Sequence, residues 1–258
     1  MDLKLTGRKA LITGASRGIG FAVAERFAAE GVAVRLASRP GERLDKAEAT
    51  LRAVGADVEA FGLDLSDPAQ RAELVERCGD IDILVNNAGA IPSGTIDEIS
   101  DKTWRETWEL KVFGFVDLTR AYFARMKAKQ SGVIINVIGA AGERPDYNFI
   151  SGSAANAALM AMTQALGGTS PDFQIRVVGV NPGAVLTERT AEQGKRRAMR
   201  LYGDESRWQE RFPTMPFGRP QRPDQISALV AFLASDLAYI SGTTVSADGG
   251  AIARNQSH

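Results

Sequence analysis

Lys9-Ala10-Leu11-Ile12-Thr13-Gly14-Ala15-Ser16-Arg17-Gly18-Ile19-Gly20 decides how the rest of the chain is read. The short apolar run at 10–12 enters a turn with glycines at 14, 18 and 20, and residues 21–30 have the spacing of an amphipathic helix. Glycine serves such a turn twice: it lets the chain reverse sharply, and it lets bare backbone approach a pyrophosphate at the positive end of the following helix. A glycine fingerprint alone is weak. Its place between a strand and a helix is what turns it into an expectation of dinucleotide binding.

The next apolar run, residues 32–39, reads as the second strand of a strand-helix-strand unit and ends in Ser38-Arg39. An acid at this point would take a ribose 2'-hydroxyl, whereas an arginine can pair with a 2'-phosphate. With Arg39 here and Arg17 in the glycine turn, NADP(H) is expected over NAD(H).

The run of elements continues with a helix at 42–54, a third strand at 57–63, and Ser66 or Asp67 capping a helix that begins near Pro68. A fourth strand at 81–85 leads straight into Asn86-Asn87-Ala88-Gly89, and one long helix is expected over 101–129. A fifth strand at 133–137, a helix through 157–166, a strand at 172–180, a helix at 224–234 and a closing strand within 241–250 complete the pattern. Such alternation predicts an α/β fold with a doubly wound parallel sheet. No linker or internal repeat divides residues 1–258, so a single domain is expected.

Thirty-one lysines and arginines balance 31 aspartates and glutamates, which argues against a nucleic-acid partner and for a small molecule. The single cysteine, Cys78, rules out an intrachain disulfide and is expected to be a packed thiol. No signal peptide and no membrane-spanning run is legible, so a cytoplasmic protein is expected. The only histidine is His258, so neither histidine base chemistry nor a histidine metal cluster is expected.

TGASRGIG at 13–20, NNAG at 86–89, NPGAVLT at 181–187 and DGG at 248–250 together resemble the short-chain dehydrogenase/reductase family, in order, from Arg8 to Gly250. The resemblance implies a Rossmann-type sheet of seven strands with helices on both faces. It implies that Gly14, Ser16, Arg17, Gly18, Ile19 and Gly20 line the phosphates and that Ser38 and Arg39 meet the 2' position. Asp64 and Leu65 then face the adenine, Asn87, Ala88 and Gly89 the adenosine ribose, and Pro182, Gly183, Val185 and Thr187 the nicotinamide end. A homotetramer or homodimer also follows from it.

The family's chemistry uses an asparagine, a serine and a YxxxK pair one helical turn apart. This chain keeps none of the four. Lys111 stands in the asparagine's place, Gly139 in the serine's, Gly152 in the tyrosine's and Asn156 in the lysine's. Tyr147 is the only nearby tyrosine, and Ser151 follows it at the lysine spacing.

Lys111 is therefore the first candidate for proton transfer, since an ammonium in an apolar cleft has a lowered pKa. Tyr147, on the 143–150 connection, is the second. Asn156 is expected to hold a ribose hydroxyl. Residues 188–219 resemble a substrate lid, and Arg196, Arg197, Arg200, Arg207 and Arg211 beside Trp208, Phe212 and Met215 suggest an anionic substrate with an apolar part. The aromatics at 104, 108, 113, 115, 122 and 123 exceed one buried stripe and suggest a second contact surface. Three readings stay open: an oxidoreductase with a rebuilt proton path, a nucleotide-binding sensor or scaffold without turnover, and a non-redox isomerase or lyase.

Overall fold

Every apolar run beside a glycine or polar turn pairs in parallel with a neighbour. In the computed structural model, which describes residues 1–254, the strands are β1 (Lys9–Thr13), β2 (Ala33–Ser38), β3 (Val58–Gly62), β4 (Ile83–Asn86), β5 (Gly132–Val137), β6 (Ile175–Pro182) and β7 (Thr243–Ala247). They form one parallel sheet in the order β3-β2-β1-β4-β5-β6-β7. The order reverses between β1 and β4, and a crevice opens there at the strands' carboxyl ends. Residues 255–258, His258 among them, lie outside the described residues.

Alternation along the buried strands sends side chains to two cores. Ala10 and Ile12 of β1 and Val34 and Leu36 of β2 meet α1 (Gly18–Ala29), α2 (Glu42–Ala53) and α8 (Pro223–Ala234) on one face. Leu11, Leu84 and Ile134 meet α3 (Pro68–Cys78) and α5 (Gly114–Lys129) on the other. Burying the large side chains Phe27, Phe61, Phe115 and Tyr122 contributes about 1.5–3 kcal/mol each by area. Cys78 is buried and free, as expected of a packed thiol.

Local signals decide the ends of the elements. Of the two cap candidates, Asp67 is the one that accepts from the Ala69 amide, with Pro68 opening α3. The strand expected from 172 begins instead at Ile175, because Pro171 supports a short 3-10 turn at Ser170–Phe173 and Gln174 takes a left-handed conformation.

The long helix expected over 101–129 is continuous but not uniform. Residues Asp101–Trp108 form α4, Glu109–Phe113 form a π turn, and α5 follows. A π turn carries one residue more than regular α-helix and is held only when something fixes it. Here the fixing group is Arg71, buried at 3% exposure, which pairs with Glu109 at 2.7 Å and Asp117 at 2.8 Å and donates to the Leu65 carbonyl. Most of the surplus aromatics pack internally: Phe115 and Tyr122 are core, Phe123 meets Phe173 edge to face, and Trp108 Nε1 donates to Ser151. Phe113 alone of the six is strongly exposed, at 48%. Among the described residues no helix is long and apolar enough to cross a membrane.

Candidate active site

At the carboxyl edge of the sheet lies a cleft of about 1260 Å³. Beneath its floor a chain of side-chain hydrogen bonds ties the elements together. Asn86 Nδ2 donates to Asn136 Oδ1 at 2.9 Å, and Asn136 Nδ2 donates to Thr163 Oγ1 at 2.9 Å, linking β4 and β5 to α6 (Ile150–Thr169). The Thr13 hydroxyl accepts from the amides of Asn87 and Ala88, while Asn87 Nδ2 donates to the Thr13 carbonyl. The first turn and NNAG are thus one unit.

At the glycine turn, Gly14 and Gly18 hold φ of +66° and +61°, conformations that side chains disfavour. Arg17 begins α1 without a side-chain cap, in contrast to the capped ends of α3, α4 and α7 (Glu188–Tyr202). Uncapped amides opening on a cleft are an anion site waiting for an acceptor. Ser16, Arg17, Gly18, Ile19, Ser38 and Arg39 all line it, and Ser38 Oγ donates to Ser16 Oγ at 3.0 Å. Arg17 also pairs with Glu188 at 3.1 Å. Gly20 corrects the expectation that all the turn glycines face the ligand. It is buried behind the wall, where an added Cβ would stand 2.4 Å from the Gly14 carbonyl oxygen, so its work is close packing of helix on turn.

Farther along, Asp64, Leu65, Asn87, Ala88 and Gly89 line the cleft as expected, as do Pro182, Gly183, Val185 and Thr187. The Asp64 carboxylate is steadied by the amide and hydroxyl of Ser66. Thr187 caps α7, exchanging bonds with Thr190.

Of the four positions singled out in the sequence, Lys111, Gly139 and Asn156 line the cleft, and Gly152 lies against Phe149, which also lines it. Gly139, at φ +137°, leaves a space that Asn156 fills: an added Cβ would lie 2.9 Å from Asn156 Nδ2. Asn156 itself is 5% exposed and lines the cleft. Gly152 lies under the ring of Phe149, whose Cζ would be 2.0 Å from a Cβ there. A phenyl ring from the preceding loop therefore occupies the ground a tyrosine side chain needs.

Lys111 reaches inward from the π turn and is 7% exposed. Its Nζ donates to the carbonyls of Val137 at 2.9 Å and Ile138 at 3.2 Å and sits 4.7 Å above the Phe115 ring. No carboxylate pairs with it among the described residues. Burial pushes its pKa down to about 7, and the nearby Arg189 charge adds to the effect. It is neither solvated nor salt-bridged, the ordinary fates of a helical lysine.

Tyr147 is not brought to the site. Its ring is 62% exposed and lies off the lining, although its neighbours Asp146, Asn148 and Phe149 are on it. A proline and an Asx turn at Asp146 point the intervening side chain outward. In the lid, Arg196, Arg197, Arg200, Arg211, Trp208, Phe212 and Met215 line the cleft. Arg207 does not; it pairs with Glu210 at 2.7 Å and stacks on Tyr202.

Two residues of the site went unread in the sequence. Arg189 donates to the Gly89 carbonyl at 2.5 Å and to the Ile91 carbonyl at 2.8 Å, tying α7 to the NNAG loop. Its signal was the helical spacing of Arg189, Gln193, Arg197 and Arg200. Phe149 gave none, since its role exists only through a contact with Gly152.

The chain is similar to known proteins over most of its length. The family model described as short chain dehydrogenase matches residues 8–198. The chain is 32% identical to the 2,3-dihydro-2,3-dihydroxybenzoate dehydrogenase of Bacillus subtilis, over 96% of this chain and 97% of that one. It is 33% identical to the 3-oxoacyl-[acyl-carrier-protein] reductase FabG of Escherichia coli, over 96% and 98%. Among solved structures, L-sorbose reductase from Gluconobacter frateurii, complexed with NADPH and L-sorbose, superimposes with a TM-score of 0.90 at 32% identity, covering 99% of this chain and 100% of that one.

Proposed function

The chain belongs to the short-chain dehydrogenase family, and from that premise we propose that it is an NADP(H)-dependent oxidoreductase that interconverts a carbonyl and an alcohol with Lys111 as its proton-transfer group. The observation that carries this reading is the buried Lys111 ammonium, unpaired by any carboxylate and lining the cleft where the family's four residues are replaced.

The residues present fit the dinucleotide. The uncapped start of α1 offers amides to a pyrophosphate, and the end of β2 offers Ser38 and Arg39 where an acid would repel a 2'-phosphate. NADPH in the similar L-sorbose reductase supports the choice of phosphate-bearing cofactor. Arg17 and Arg39 hold the 2'-phosphate, Asn87 to Gly89 flank the adenosine ribose, and Asn156 takes a hydroxyl of the second ribose. The bound nucleotide supplies or accepts the hydride.

Lys111 handles the proton. An ammonium has three donors, and the Val137 and Ile138 carbonyls take two, leaving one for a substrate oxygen. In reduction that N–H goes to the oxygen that gains negative charge as hydride reaches the carbonyl carbon; in oxidation the neutral amine takes the alcohol proton. With a pKa of about 7, either form is accessible near neutrality. The lid, residues 188–219, covers the substrate. A homo-oligomer fits the exposed Phe113 on the helix carrying Lys111.

The test is NADPH oxidation against a panel of carbonyl compounds. Protein-dependent oxidation that falls at least about 10²-fold in Lys111→Met is the expected result. Full activity in that variant would remove the lysine from the mechanism. Tight NADPH binding with no oxidation of any carbonyl would favour the sensor reading.

A further inference from the structure

The lid end of the cleft carries a charge imbalance that the proton-transfer reading does not use. The whole chain is neutral, yet the cleft is lined by nine lysine and arginine side chains against three carboxylates. Those three are engaged locally: Asp64 by Ser66, Glu98 by the Thr95 amide and Asp146 by the Asn148 amide. Arg17 and Arg39 belong to the nucleotide end in the proposed function, and Lys111, Arg144 and Arg189 are held by backbone carbonyls.

What remains is specific. Arg197 and Arg200 project from the cleft-facing side of α7, and Arg211 comes from the 3-10 segment Glu205–Thr214 that folds back on it. None of the three has a carboxylate within ion-pair distance among the described residues, whereas neighbouring Arg196 and Arg207 have Glu192 and Glu210. Arg211 and Arg197 are close enough to repel, and burial together with the Arg197 charge pulls the Arg211 guanidinium below its usual pKa. Like charges gathered without a counterion lower their energy by taking up an anion, and planar guanidinium groups do so with bidentate geometry. Beside them Trp208 and Phe212 meet edge to face, with 5.2 Å between ring centres, and form an apolar wall of the same cleft.

We infer that Arg197, Arg200 and Arg211 form a subsite for a doubly charged anionic group on the substrate, a phosphate monoester or a dicarboxylate, whose apolar body lies against Trp208 and Phe212. This assignment rests on the reading of the cleft as a substrate site and names what enters it.

The experiment is calorimetric titration of NADPH-saturated protein, at fixed ionic strength, with phenyl phosphate, phenylsuccinate and benzyl alcohol. At least one of the two dianions binds, and which one separates the phosphate from the dicarboxylate source; benzyl alcohol does not bind. In Arg197→Gln/Arg211→Gln, affinity falls by about tenfold or more, while Arg207→Gln stays within about twofold. Unchanged NADPH affinity reports that the variants remain folded. Failure of both dianions to bind, benzyl alcohol binding as well as they do, or affinity indifferent to the double variant each overturns the subsite. If NADPH itself does not bind, the nucleotide reading fails separately, and the same titration on nucleotide-free protein still reads the subsite as the difference between wild type and double variant.

Discussion

Phe149 stands in the space that any side chain on Gly152 must enter: the ring's Cζ and Cε1 lie 2.0 and 2.1 Å from where a Cβ would be. The two residues have exchanged volume, one giving up a side chain and the other filling it. Gly152→Tyr alone therefore destabilises the protein by about 1–3 kcal/mol or more, because Phe149 cannot stay in place. Adding Phe149→Ala and Asn156→Lys restores both room and YxxxK spacing, and NADPH-dependent carbonyl reduction rises above wild type. Denaturant melts and initial rates check the two halves.

The proposed role of Lys111 carries a pH signature: with the ammonium as donor and a pKa of about 7, kcat/KM for carbonyl reduction is expected to fall about tenfold per pH unit above that value. In Lys111→Met this limb disappears along with most of the rate. A profile still falling above neutrality in the variant would assign the limb to another group.

The same burial has a thermodynamic signature. The folded chain releases the Lys111 proton near 7, while the unfolded chain keeps it to about 10.5, so the unfolded state binds more protons between those values. Stability of the wild type accordingly rises with pH across that window. Lys111→Met lacks the contribution, so its stability relative to wild type declines steadily from pH 7 to 10. Thermal melts of the pair across that range measure it.

In the proposed function Arg39 is the residue that distinguishes the two cofactors. It lines the cleft at the end of β2 and has no ion-pair partner among the described residues. Arg39→Ala weakens NADPH binding by about 10- to 100-fold, the loss of a charge-assisted hydrogen bond, and leaves NADH within about twofold. Fluorescence titration of the bound nicotinamide distinguishes these outcomes.

Arg189 joins the lid to the core through the carbonyls of Gly89 and Ile91. Arg189→Ala leaves both without that donor and frees the start of α7. Cleavage by trypsin within residues 188–219 then accelerates relative to wild type, with the sheet's melting transition little changed.

How much of this was legible beforehand depended on the range of the forces involved. The sheet, its switch point and much of the cleft wall follow from local patterns, which is why Gly14, Gly18, Ser38 and Asn87 line the cleft. Lys111, Gly139, Gly152 and Asn156 could be singled out in sequence because the resemblance implies where the family's four residues should stand. Their meaning could not. Lys111 is buried only because a π turn aims it at β5, and Gly152 is filled only by a ring three residues upstream. Gly20 was misread for a related reason: a missing side chain serves packing or a ligand equally well until the neighbour is known. Tyr147 failed because an Asx turn, a matter of backbone geometry, turns it to solvent.

The π turn at Glu109–Phe113 also means that one residue of this helix is surplus to an α-helical count. Arg71 grips the chain on both sides of the surplus, at Glu109 and at Asp117, so the extra residue cannot migrate along the helix. Deleting one residue between them would restore an even α-helix, and α4 and α5 would keep their relative faces because the turn had already absorbed the extra residue. Trp104 and Trp108 would keep their present faces, while Lys111 would lose the local bulge that aims it at the sheet edge. The amine in this cleft is thus fixed by arithmetic as much as by identity: a deletion can remove it as completely as a substitution, and an alignment that scores only matched letters would pass over the difference.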